Sequence, residues 1–141
     1  GGGAFRALLD DMSKTIEEAS RIEALKGLAG KLGAALNEVG ETTTHLGGIA
    51  LAGDVEFYIS SATLYLGMFS RLVISWLFLW QSVVAEKALA AGAGAADQHY
   101  YKGKLATARF YLNNELPHLH ATAEILKSGE RTALDFDEKW F

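Results

Sequence analysis

The sequence has no cysteine, and Pro117 is its one proline in 141 residues. Without thiols, disulfide staples and thiolate metal sites are excluded. With a single breaker the chain runs in long uninterrupted stretches, which disfavours many short strands and favours long helices. An excess of positive charge is lacking as well. Thirteen Lys and Arg stand against 17 Asp and Glu, for a net charge of −4. The basic residues are scattered, so no phosphate-binding stripe forms and nucleic acid is not an expected partner. No initiator methionine opens the chain, which starts Gly1-Gly2-Gly3, and no charged-then-apolar secretory pattern follows. A processed product or a piece of a longer polypeptide is expected, located in the cytoplasm.

What is present is globular. Half of the residues are apolar and 21% are charged, outside the range of disordered chains. The length suits one domain spanning residues 1–141, able to bury about two thirds of its unfolded surface without staples. Phe5, Leu8, Leu9, Met12, Ile16 and Ala19 recur at three- and four-residue spacing, predicting a first helix over about residues 4–21. Leu25, Leu28, Leu32, Leu36, Val39, Leu46 and Ile49 predict a second over about 24–51. Gly53-Asp54 reads as a stop and a cap, and the third helix then continues to about residue 91.

Residues 64–85 are apolar nearly all round, which predicts a central helix buried by neighbours on several sides. The stretch is long enough to span a bilayer, but Arg71, Ser70, Ser75 and Gln81 interrupt it and no basic cluster flanks it. No membrane span is expected. After the glycine-rich turn at 92–96, Asp97 is the expected cap of a fourth helix that Pro117 kinks or breaks for one turn and Gly129 ends. Four long helices with short connections give the expected fold: an all-α, antiparallel four-helix bundle.

Candidate chemistry is sparse. Glu115-Leu116-Pro117-His118 has the Glu-x-x-His spacing of carboxylate-bridged dimetal bundles, but no second copy exists and a proline lies inside it. His118 and His120 point apart on a helix unless Pro117 unwinds that turn, and His45 and His99 stand alone. Neither a metal site nor a catalytic residue is expected. Gly27, Gly30 and Gly33 lack the strand and the Gly-Lys-Ser/Thr ending of a phosphate loop; on a helix they predict a stripe that admits a close neighbour. Arg71 must reach water or a carboxylate, with Glu115 or an acid of the first helix as the expected partner. Tyr100, Tyr101, Trp140 and Phe141 fit either an interface or a capped bundle end.

The segment Tyr100-Tyr101-Lys102-Gly103-Lys104-Leu105-Ala106-Thr107-Ala108-Arg109-Phe110-Tyr111, followed by Glu115-Leu116-Pro117 and closed by Gly129, carries one further signal. Together with Tyr65-Leu66-Gly67, Trp76 and the opening Ala4-Phe5-Arg6-Ala7-Leu8-Leu9, it resembles the C-terminal helical domain of acyl-CoA dehydrogenases of the 3-methylmercaptopropionyl-CoA dehydrogenase type. The resemblance implies a parent enzyme that binds FAD and oxidises an acyl-CoA thioester at its α,β positions. A glutamate takes the α-proton while hydride passes to the flavin. That glutamate belongs to a Tyr-Glu-Gly-Thr segment absent from this sequence, so no catalytic or cofactor-binding residue carries over. The implied role is structural, with the parent's flavin-binding domains, an electron-transfer flavoprotein and further copies of the enzyme as partners. Lys104 and Arg109 are the family-like charges expected to fix the domain through internal salt bridges.

Overall fold

A computed structural model describes residues 3–140; Phe141, one of the four aromatic candidates, lies outside the described residues, as do Gly1 and Gly2. Every regular element among the described residues is helical.

Helix α1 (Gly3–Ser20) buries Met12, Thr15 and Ala19 and exposes Asp10, Asp11, Lys14 and Glu17. No glycine pair or proline ends it. Instead Arg21 and Ile22 donate to the Glu18 and Ala19 carbonyls, and the 3-10 turn Glu23–Leu25 plants Leu25 in the core. Helix α2 (Lys26–Leu51) buries Leu28, Leu32, Val39 and Leu46. It ends where Gly53 adopts φ 100° and the Asp54 N–H reaches back to the Ile49 carbonyl at 3.2 Å, a left-handed stop that glycine adopts without strain.

The expected third helix is two. Helix α3 (Val55–Ser60) lasts six residues, and α4 (Ala62–Ala90) begins after Ser61. The Ser60 and Ser61 hydroxyls both donate to the Phe57 carbonyl, at 2.8 and 2.9 Å; side-chain bonds of this kind compete with the backbone ladder. The fourth helix also divides, into α5 (Ala95–Asn114) and α6 (His118–Lys127). Pro117 disfavours a helical residue before it and cannot donate, so α5 stops short and a new helix starts behind it. The cap of α5 is Gly94 with extended backbone, and Asp97 sits inside the first turn rather than before it.

Helix α4 packs against α1, α2, α5 and α6, whereas α1 does not pack along α5. Phe5 meets Phe69, Thr15 meets Trp76 and Glu18 meets Lys87, so α1 and α4 run in the same direction. Phe78 meets Tyr111 while Trp80 and Val84 lie beside Tyr100 and Lys104, so α5 runs against α4. The core between them holds Met12, Leu32, Met68, Leu72, Leu79, Leu112, Leu119 and Leu126.

Helix α4 is central, with neighbours on several sides as expected, but one face of it is not buried. The face with Met68, Leu72, Ser75, Leu79 and Val83 is buried, but Leu66 is 64% exposed, Trp80 52% and Val84 51%. The reason is that α1 and α5 flank α4 without packing along each other, which leaves the side of α4 between them open. Among the described residues α4 is also the one helix long and apolar enough to cross a bilayer. It carries Arg71 within that stretch.

Candidate functional site

The open face of α4 follows from its residue spacing. At 3.6 residues per turn, Leu66, Val73, Leu77, Trp80 and Val84 fall within an arc of about 60° and extend over about 27 Å of helix axis. Leu66, Leu77, Trp80 and Val84 are exposed and Val73 is half-buried. One border of this face is made by α1, through the Phe5–Phe69 ring contact at 5.7 Å and the Trp76 Nε1–H, which donates to the Thr15 hydroxyl at 2.8 Å. The other is made by α5, through Phe78 and Tyr111 with ring centroids 5.1 Å apart.

Grooves lie at the two ends. Toward the C-terminus of α4, Trp80, Gln81, Val84, Tyr100, Tyr101 and Lys104 line a groove of about 250 Å³. Lys104 Nζ stands 5.4 Å over the Tyr100 ring there, and Tyr100 meets Tyr101 edge-on at 5.5 Å. Toward the N-terminus, a larger groove of about 490 Å³ runs between α2, α3 and α4 past Leu46, Ile59, Tyr65 and Leu66. Its polar floor is the 2.7 Å bond between the Thr43 and Tyr65 hydroxyls. Apolar surface with a few hydroxyls binds other apolar surface; it does not place a nucleophile beside a base.

The charges singled out in the sequence are placed differently from expectation. Arg71 is half-buried and its Nη1–H donates to the Gly67 carbonyl at 3.3 Å; among the described residues it closes no ion pair, with Glu115 or with α1. Arg71 and Glu115 instead flank the Tyr111 phenol. Burial pushes that phenol above its ordinary pKa, the Glu115 charge pushes it further, and Arg71 opposes both. Lys104 is committed to the Tyr100 face. Arg109 is exposed. Neither forms an internal salt bridge among the described residues.

The ion pairs that tie separate elements together are Arg131 with Asp54, Lys87 with Glu18 and Lys127 with Glu38, and His120 adds a hydrogen bond to Glu38. Sequence reasoning passed over Arg131. Its available signal was the Asp54 cap, a fixed carboxylate in need of a cation.

The histidines do not converge. His45, His99 and His118 are exposed, and His120 Nδ1 lies 2.8 Å from Glu38 Oε1. Glu115 sits in the turn before α6, so the Glu-x-x-His spacing spans a helix boundary. Glu38, His120 and Glu124 bring ligand-type atoms within 4.8 Å of one another. Lys127 Nζ already occupies that neighbourhood, 3.7 Å from Glu38 and 3.3 Å from Glu124.

The glycine stripe does not admit a close neighbour. A methyl group at Gly27 or Gly30 meets nothing within 4 Å, and one at Gly33 meets only Ile16 Cγ2 at 3.9 Å. Phe136 and Trp140 stack edge-on at 5.1 Å beyond α6.

An all-helical fold with an apolar face and no convergent polar chemistry agrees with the family whose description is acetyl-CoA dehydrogenase C-terminal like, which matches residues 8–137. The chain belongs to that family. It is 32% identical over 123 residues to the broad-specificity linear acyl-CoA dehydrogenase FadE5 of Mycobacterium tuberculosis, a match covering 87% of this chain and 19% of the relative. A butyryl-CoA dehydrogenase of Syntrophomonas wolfei is 38% identical over 81 residues, covering 57% of this chain and 13% of the relative. A second butyryl-CoA dehydrogenase of that organism is 35% identical over 71 residues, covering 50% and 12%. The chain thus spans about a fifth or less of these relatives.

The flavin nucleotide that such names imply does not fit the grooves described above. A pyrophosphate needs convergent N–H groups or paired cations. The larger groove offers only the hydroxyls of Thr43, Tyr58, Ser61 and Tyr65, and the smaller one a single Lys104.

Proposed function

We propose that this chain is a non-catalytic structural and interaction domain of an FAD-dependent acyl-CoA dehydrogenase. The observation that carries this reading is the family match over residues 8–137, combined with relatives of that activity several times longer than the match. In this reading residues 1–141 form one domain, arranged as an antiparallel four-helix bundle whose third and fourth rods are each broken once. Other segments of the polypeptide hold FAD, supply the base that takes the α-proton, and pass electrons to an electron-transfer flavoprotein. The enzyme assembles as a homo-oligomer in the cytoplasm. The segment Tyr101-Lys102-Gly103-Lys104-Leu105-Ala106-Thr107-Ala108-Arg109-Phe110-Tyr111 supports a finer placement, in the 3-methylmercaptopropionyl-CoA dehydrogenase group.

The reading is tested by capturing the native protein from its source with an antibody to this chain, then recording its mass and visible absorbance. A polypeptide several times longer that carries flavin is the expected result. A colourless protein of this length would replace the reading with that of a stand-alone helical interaction module.

A further inference from the structure

The open face of α4 has the shape of a vacant helix position. Leu66, Val73, Leu77, Trp80 and Val84 repeat at steps of seven, four, three and four, the spacing by which one helix presents a seam to another. The seam lies on the floor of a channel, because α1 and α5 pack on either side of α4 and do not pack along each other. Charges gather elsewhere: the exposed Asp10, Asp11, Lys14 and Glu17 on α1, and the group of half-buried Glu38 and Lys127 with exposed Glu124 between α2 and α6. Arg71 is the one charged residue between 61 and 85, and it turns toward Tyr111, away from the seam. Exposed apolar surface that is continuous and rimmed by polar residues marks an interface.

We infer that this channel is where the rest of the dehydrogenase polypeptide docks, by laying an apolar helix along α4 between α1 and α5. The inference rests on the reading given above and deepens it by naming the docking face. The relatives supply the reason for choosing this occupant: four fifths or more of each lies outside the matched region, so a large body of protein is available in the same molecule. The seam supplies the reason for a helix. Its 3-4 spacing complements ridges on a second helix, and the groove beside Trp80 and Tyr100 is sized for one large side chain. Trp80 is the anchor, since a half-exposed aromatic that becomes fully desolvated carries most of the energy of such contacts, and Val84 one turn on extends the apolar surface beside it.

The test uses the full native-length polypeptide with a photoreactive benzoylphenylalanine in place of Trp80. The cross-linked peptide is expected to map outside residues 1–141 but within the same polypeptide. In parallel, Trp80→Asp combined with Val84→Asp is expected to speed proteolytic release of this domain by about tenfold or more. Ile125→Asp, a substitution at an equally exposed apolar site on α6, is expected to leave it unchanged. The cross-link requires no destabilising variant, so it stands even where the double substitution unfolds the domain. A cross-link to residues 1–141 of a second, isotope-labelled copy, to lipid in added phosphatidylglycerol vesicles, or to nothing overturns the docking face while a long, flavin-bearing polypeptide leaves the dehydrogenase reading intact. A colourless polypeptide no longer than this chain overturns both.

Discussion

Arg131 Nη1 is hydrogen-bonded to Asp54 Oδ2 across 77 residues of sequence, tying the segment after α6 to the turn between α2 and α3. The same carboxylate accepts the Phe57 N–H at 3.1 Å, and the guanidinium lies 5.9 Å from the Phe57 ring centre. The Phe57 N–H, and after it Arg131, hold the Asp54 carboxyl below its ordinary pKa. A depressed folded pKa contributes stability that is present above the unfolded value of about 3.9 and is lost as pH falls through the folded value. Asp54→Asn keeps an acceptor for the cap and removes the charge. It should lower Tm by a few degrees at pH 7 and flatten the loss of stability below pH 4. Thermal melts followed by circular dichroism between pH 2.5 and 7 check this, and an acid limb identical to that of the unaltered protein would refute it.

Gly30 lies exposed on α2, and an added Cβ meets nothing within 4 Å. A glycine in mid-helix costs about 0.5–1 kcal/mol relative to alanine, through backbone entropy in the unfolded chain. Gly30→Ala should therefore stabilise the domain by about that amount, seen as a higher urea midpoint at unchanged slope. Destabilisation would restore the view that this stripe exists for close helix approach.

Much of the fold was legible because periodicity reports which residues face inward. Met12, Leu28, Leu32, Val39 and Leu46 are buried where their spacing put them. Helix ends were legible where glycine needed positive φ, at Gly53, Gly92 and Gly129. The break around Pro117 was legible from the proline itself, whereas the one at Ser61 was not, since serine ends a helix only when its hydroxyl finds a carbonyl in its own chain. The open face of α4 was not legible at all. Apolar residues on every side of a helix state that each side avoids water, not which neighbour provides the cover. Pairing was equally hidden for Arg71 and Arg131, because partners for a long side chain are set by how helices cross. Their reach in sequence says nothing of it.

Thr15 is the acceptor for the Trp76 indole at 2.8 Å and donates its own hydroxyl to the Asp11 carbonyl at 3.0 Å, linking α1 to α4. Thr15→Val keeps the volume and leaves the indole N–H without an acceptor in a half-buried position, which should cost about 1–3 kcal/mol. Ser75 offers the opposite case one residue away. Its hydroxyl is fully buried with no hydrogen-bond partner among the described residues. Ser75→Ala removes an unsatisfied polar group and should be neutral or stabilising by about 1 kcal/mol. Urea denaturation of both variants checks the pair; Ser75→Ala falling in stability as far as Thr15→Val would show that the serine has a partner.

Tyr111 reads out the charges of Arg71 and Glu115 near it. Burial and the Glu115 charge both raise its phenol pKa, while Arg71 lowers it. Removing each charge should therefore move the titration in opposite directions: Arg71→Gln up, Glu115→Gln down. The folded phenol ionises above the ordinary value of about 10, so its contribution to stability is complete below that pH and is lost as pH rises through the folded value. Arg71→Gln extends this loss to higher pH. Difference absorbance of the phenolate near 295 nm, on a background in which Tyr58, Tyr65, Tyr100 and Tyr101 are phenylalanine, follows the group directly. Equal shifts of the same sign from both variants would mean that a structural rearrangement, and not the two opposed charges, sets the phenol's environment.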